Sequence, residues 1–172
     1  MGETGLDFHY DLSPRDAQEA AFRRSLGIAR AAGKPVVIHL READEAAARV
    51  LREEGIPSAG GVVHCFTGDA AAARTWLDLG LYISVAGIVT FRTAGAIREA
   101  VALVPHDRLL VETDSPFLAP VPLRGTLNEP ANVAHVARAV AGIWGLPEAE
   151  VAALTSANTR RLFRLAAPAA SG

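Results

Sequence analysis

Four apolar runs recur along this chain, each separated from the next by a stretch long enough for a helix. They are Val36-Val37-Ile38-His39, Gly61-Val62-Val63-His64-Cys65, Leu81-Tyr82-Ile83-Ser84-Val85 and Leu109-Leu110-Val111-Glu112-Thr113-Asp114. Gly2 to Leu6 reads as the end of a fifth. The runs are continuous rather than alternating, as strands covered on both faces are, and strands alternating with helix-period segments fold as a parallel sheet. The expected fold class is therefore α/β. Half of the 172 residues are apolar, enough for a sizeable core, and no shift in composition marks a second domain. One domain is expected over residues 1–165, with residues 166–172 as a flexible tail of simple composition.

The intervening segments carry helix signals. Ser13 is the expected N-cap of the first helix, with Pro14 at its first position, Phe22, Leu26 and Ala29 on one stripe, and Gly33 after its end. Asp69 to Gly80 repeats the form with Ala73, Trp76 and Leu77 on a face. Pro130 opens a segment with Val133, Val136, Ala137 and Val140 in step, and a last helical pair is expected between Pro147 and Leu165.

The formal net charge of −2 supplies no broad basic field, so a nucleic-acid partner would have to be held by local contacts. Cys65 is the one cysteine and can form no internal disulfide, which fits a reducing compartment; the cytoplasm is the expected location. No membrane partner is expected. The first residues lack the basic start and apolar stretch of a signal peptide, and no apolar run approaches the ~18 residues of a membrane span.

Polar residues interrupt the runs at their C-terminal ends: Glu3, His39, His64 and Asp114. Functional groups collect at that end of the strands in parallel β/α barrels, because that rim is open while the interior is packed. The separations of 36, 25 and 50 residues suit successive βα repeats, with the Leu81 to Val85 strand filling the longest. Two imidazoles and two carboxylates suit Zn²⁺, Mn²⁺ or another first-row divalent ion rather than a thiolate-loving one. Such an ion favours hydrolysis. The alternative for each histidine is a cap or a hydrogen bond to a neighbouring loop.

The strings Gly2-Glu3-Thr4-Gly5-Leu6-Asp7, Val37-Ile38-His39-Leu40-Arg41-Glu42-Ala43 and His64-Cys65-Phe66-Thr67-Gly68 resemble three successive signatures of the TatD family of metal-dependent deoxyribonucleases. Gly87-Ile88-Val89-Thr90-Phe91, the stretch Leu109 to Pro120, the segment Arg124 to Pro130 and Asn158 to Phe163 continue the resemblance in the same order. The resemblance implies a TIM-type β/α barrel that hydrolyses DNA phosphodiesters with a metal-activated water, using two divalent ions (Mg, Mn or Zn) in the complete family site. It assigns Glu3, His39, His64 and Asp114 as metal ligands, with Glu3 shared between ions and Asp114 beside the attacking water, so that Glu3 and Asp114 are the expected catalytic pair. Glu112, two residues before Asp114 and on the same strand side, is the expected supporting carboxylate behind the ligands; the alternative is a strand-end carboxylate paired with an arginine. Arg41 and Arg124 are the expected phosphate contacts, with solvated surface arginines as the alternative.

The family opens with a strand bearing two histidines separated by one residue, and no two of His9, His39, His64, His106 and His135 are so spaced. About five of the eight barrel strands are therefore expected here. A chain start placed too late is the favoured explanation, against a fragment or a shortened protein that covers its open sheet edges by self-association. Leu40 and Leu127 also depart from the family pattern, at positions often held by a small hydroxyl and a basic residue. Activity of the chain as written is in doubt on this reading, and two alternatives stand beside it: a barrel hydrolase of a small ester or amide, and a non-catalytic assembly subunit. His9, His106 and His135 are expected to be loop or surface groups, Cys65 an inert buried thiol, and Trp76 and Trp144 core residues.

Overall fold

A computed structural model describes residues 1–166; the expected tail, apart from Ala166, lies outside the described residues. Five parallel strands form one sheet in sequential order: β1 (Thr4–Asp7), β2 (Val36–Arg41), β3 (Gly61–Val63), β4 (Tyr82–Val85) and β5 (Leu109–Val111). Helices α1 (Arg15–Ala31), α2 (Asp44–Glu54), α3 (Ala70–Asp78) and α4 (Gly95–Leu103) connect them, and α5 (Val133–Trp144) and α6 (Glu148–Phe163) follow the last strand. Sequential order with every neighbour parallel is the topology of a β/α barrel, here a run of five strands.

The two faces of the sheet differ because side chains alternate along each strand. Leu6, Val36, Ile38, Val63, Ile83, Val85 and Leu109 share one apolar core with Phe22 and Leu26 of α1, Trp76 of α3, Val101 of α4 and Val140 of α5. The opposite, inner face carries a lower apolar layer of Val37, Val62, Tyr82 and Leu110, closed from below by Leu162 and Phe163 of α6. One step further along, the same inner face turns polar with His39, His64, Ser84 and Glu112, while Gly5 lies level with His39 on β1 and presents no side chain. The strands read as continuous apolar runs because both faces are covered up to that step.

Register places Gly5 opposite His39. A Cβ on Gly5 would stand 1.9 Å from the His39 carbonyl oxygen, and the residue has φ +152°, so glycine is required for β1 to lie this close. Four strand ends fall short of expectation, the first being that of β1, which begins at Thr4 rather than Gly2. β3 stops at Val63 and β5 at Val111 because Cys65 (φ 44°) and Asp114 (φ 57°) turn the chain out of the sheet in the left-handed region, and β4 begins at Tyr82 rather than Leu81.

Two helix expectations are corrected. Ser13 does not cap α1: Pro14 occupies the cap position with extended ψ of 138° and no side-chain cap bond, while the Ser13 carbonyl accepts from Gln18 Nε2 at 2.9 Å. Between Pro147 and Leu165 there is one helix, α6 (Glu148–Phe163), rather than a pair. Asp69 caps α3, its carboxylate accepting from the Ala71 and Ala72 N–H groups at 2.9 Å. Pro130–Asn132 is a short 3-10 turn that leads into α5.

Candidate metal centre

Parity along the strands brings three of the four expected ligands together. Glu3 Oε2 lies 3.1 Å from His64 Nε2 and 3.5 Å from His39 Nδ1, and the two ring nitrogens are 3.3 Å apart. Donor atoms bound at about 2.0–2.1 Å to one ion stand about 3.3 Å apart in a tetrahedron and about 3.0 Å in an octahedron. The observed triangle has those edges, so the three residues fit one face of a divalent-ion site. The donor set of two imidazoles and one carboxylate is that of a site that also takes a water or substrate oxygen.

Each imidazole has a carboxylate at its other nitrogen. His64 Nδ1 is 3.4 Å from Glu112 Oε2, and His39 Nε2 is 3.4 Å from Asp7 Oδ2. Glu112 also accepts the Cys65 backbone N–H at 2.7 Å through Oε1. Burial alone would raise the Glu112 carboxyl, yet His64, Ser84 and the Cys65 N–H hold it below the usual carboxylate range. Glu112 is thus anchored behind His64 and pairs with no arginine among the described residues. Burial would lower the His64 imidazole, but Glu112, Glu3 and Asp114 raise it.

Asp114 stands outside the three-donor triangle. Its Oδ2 lies 3.8 Å from Cys65 Sγ, and burial raises its carboxyl, opposed by His64 and reinforced by the charges of Glu112 and Glu3. Those neighbours place it beside the cluster, in a bend of left-handed backbone. Burial also pushes the Cys65 thiol well above the ordinary range, with Asp114 and Glu112 adding to it, so Cys65 has no thiolate character.

Arg41 ends β2 and Arg124 lies in the irregular segment after β5, each over an aromatic ring: Arg41 is 5.0 Å from the Tyr10 centroid and Arg124 3.8 Å from that of Phe91. Neither is within ion-pair distance of a carboxylate among the described residues. Both guanidinium groups keep donors free for an anion while the ring fixes their planes. His9 sits in the loop after β1, 2.7 Å from Glu42, His106 stacks on Trp144 at 4.2 Å, and His135 touches Arg138.

Two residues went unremarked in the sequence. Asp7 was detectable, since Glu3, Gly5 and Asp7 share one parity and the partner of Asp7 in register is Arg41, two steps past the Gly5 to His39 pair. Asn128 was not. Its buried amide donates to the Thr113 and Phe117 carbonyls at 2.8 and 2.7 Å and accepts from Glu129 N–H and Asn132 Nδ2, holding the loop that carries Asp114.

The sequence matches the family described as TatD related DNase over residues 1–164. It is 48% identical over 165 residues to YcfH, an uncharacterised metal-dependent hydrolase of Escherichia coli strain K12, covering 96% of this chain and 62% of that protein. It is 40% identical over 172 residues to the 3′-5′ ssDNA/RNA exonuclease TatD of a Rahnella species, covering 97% of this chain and 65% of that protein. The crystal structure of YjjV, a TatD homologue of E. coli, superposes with a TM-score of 0.90 at 31% identity, over 96% of this chain and 63% of that one. The chain spans less than two thirds of the length of each.

Proposed function

The chain belongs to the TatD related DNase family, and from that membership together with the Glu3, His39 and His64 triangle we propose that it carries the metal-holding part of a hydrolase acting on DNA phosphodiesters. The observation that supports this most directly is the set of donor separations of 3.1, 3.3 and 3.5 Å, each imidazole backed by a carboxylate. A divalent ion held there would polarise a phosphoryl oxygen and lower the pKa of a water. Glu3, His39 and His64 would hold it; Glu112 would keep the Nδ1 proton of His64 in place so that Nε2 presents its lone pair. Asp114, with its raised carboxyl beside the cluster, would accept a proton from the attacking water. Arg41 and Arg124 would position phosphates of the strand without reading its bases. A 3′-5′ exonuclease is among the relatives, and single-stranded DNA is the substrate to try first.

The test is cleavage of end-labelled single-stranded DNA in the presence of Mg²⁺, Mn²⁺ or Zn²⁺, with Glu3→Ala and Asp114→Ala variants alongside. Metal-dependent cutting that falls at least a hundredfold in both variants supports the proposal. Cutting that persists in both, or activity only on small esters or amides, sinks it.

The same reading places the reaction in the cytoplasm, supported by a lone cysteine that needs no oxidising partner; among the described residues no helix is long and apolar enough to cross a membrane. It also includes self-association. Among the described residues β1 and β5 each pair on one side only, which leaves two backbone edges able to accept a strand.

A further inference from the structure

Asp7 is the last residue of β1 and has no part in the donor triangle, yet its carboxylate is engaged at both oxygens. Oδ1 accepts the backbone N–H groups of His9 at 3.0 Å and Tyr10 at 2.9 Å, which folds the loop after β1 into a turn on the side chain itself. Oδ2 faces His39 Nε2 at 3.4 Å. The backbone of Asp7 is clamped as well: its N–H donates to Gln18 Oε1 at 2.9 Å and its carbonyl accepts from Gln18 Nε2 at 3.1 Å, so α1 fixes the residue along the strand. With Oδ1 committed to two amides and the main chain pinned, Oδ2 is held facing the ring.

The geometry points to Asp7 as the positioning residue of His39: it fixes the proton on Nε2, so that Nδ1 offers its lone pair to the point shared with Glu3 and His64. This rests on the metal reading above. A neutral imidazole has one N–H and one lone pair. A carboxylate stands near each nitrogen of His39, but Asp7 is anchored by the His9 and Tyr10 amides whereas the Glu3 side chain is half exposed and shared with His64, so the fixed carboxylate at Nε2 keeps the proton. The Nδ1 atom that stands 3.5 Å from Glu3 Oε2 and 3.3 Å from His64 Nε2 is then left as the ligand atom. Asp7 thereby does for His39 what Glu112 does for His64. It also ties the turn carrying Tyr10, on which Arg41 stacks, to the metal centre through a single side chain.

Asp7→Asn separates this role from a purely structural one. An asparagine keeps an oxygen for the His9 and Tyr10 amides, so the turn survives, but it presents an NH₂ donor to Nε2 and drives the imidazole proton to Nδ1. Cobalt(II) alone is titrated into the parent chain and the variant and followed by its visible absorption, and ¹⁵N spectra of the histidine rings are recorded without metal. Expected are unchanged helical circular dichroism, cobalt affinity weakened 10- to 100-fold, and a His39 proton that moves from Nε2 in the parent to Nδ1 in the variant. Equal cobalt affinity with an unmoved proton overturns the proposal. Should the parent bind no cobalt, the metal reading fails, and the ring spectra still decide the role of Asp7. Should the variant fail to fold, the parent decides alone: a His39 proton found on Nδ1 there overturns the assignment.

Discussion

At the residue scale the site depends on side chains that never face the reacting point. Asn128 uses its whole amide, with two bonds donated and two accepted, to hold the loop from Thr113 to Phe117 against the turn that begins α5. Replacing it with alanine would strand two carbonyls and two donors in a buried place. Asn128→Ala is expected to cost about 3 kcal/mol in urea unfolding and to reduce any Asp114-dependent cleavage more than cobalt binding, since Asp114 moves and the donor triangle does not. Equal losses in both would show that the loop and the triangle are one unit. Of the individual residues, His39, His64 and Glu112 stand where counting in twos from the apolar runs puts them, whereas Glu3, expected at the C-terminal end of a strand, precedes the first residue of β1 and reaches the two imidazoles from there. Asp114 did not follow, because parity ends where the backbone turns left-handed. Asn128 could not be found by counting, since its partners are up to fifteen residues away across an irregular loop.

Elements meet mainly through apolar stripes, with a few charged clamps at the periphery. Arg23 of α1 reaches across to Glu53 and Glu54 at the end of α2, the latter at 2.8 Å. The Arg23 guanidinium holds the Glu53 carboxyl below its ordinary value. A carboxyl depressed in the folded state contributes stability above the unfolded value of 4.5, and that contribution disappears as pH falls through the lower folded value. Arg23→Ala is therefore expected to lower the melting temperature at pH 7 by a small amount that shrinks as pH falls below 4.5 and through the lower folded value; a difference independent of pH would mean the arginine acts through packing. Helix stripes were readable from spacing: Phe22, Leu26 and Ala29 are buried as expected, and Trp76 is wholly enclosed. Boundaries were less so. The start of α1 is set by Gln18, which binds Ser13, Asp7 and Asp11 at once, and such a three-way contact has no signature in local sequence. The break expected between residues 147 and 165 does not occur because Val151, Thr155, Asn158 and Leu162 keep one buried stripe throughout.

For the whole molecule, the parallel order of five strands was legible from the repeat of apolar run and helix, and the polar rim from what interrupts the runs. The division of the inner face into an apolar floor and a polar tier was not, since α6 supplies the floor's closure from the far end of the sequence. Because the donors come from β2, β3 and the entrance to β1, an ion bound there ties three strands together. Zn²⁺ at a hundredfold excess over its Kd is expected to raise unfolding stability by about 2.7 kcal/mol, with the gain abolished by a chelator and by His64→Ala. A melting temperature indifferent to metal would mean that the triangle binds no ion in solution. The open edges make a second expectation: sedimentation of the purified chain should show a mean mass that rises with concentration, and a constant monomer mass would show the edges to be shielded.

The alternation of the two faces also constrains how such a sequence can vary by insertion. One residue added to β2 ahead of His39 would send the imidazole into the layer packed against the helices and bring an aliphatic side chain to the rim. The strand would lose its ligand and bury a polar ring in the same event. Two residues added would restore the facing but lift the ring by about 6.6 Å, twice the separation at which it now meets Glu3 and His64. Length changes that keep the site are consequently confined to the helices and loops, and each strand keeps a phase that substitutions leave intact and insertions within it destroy.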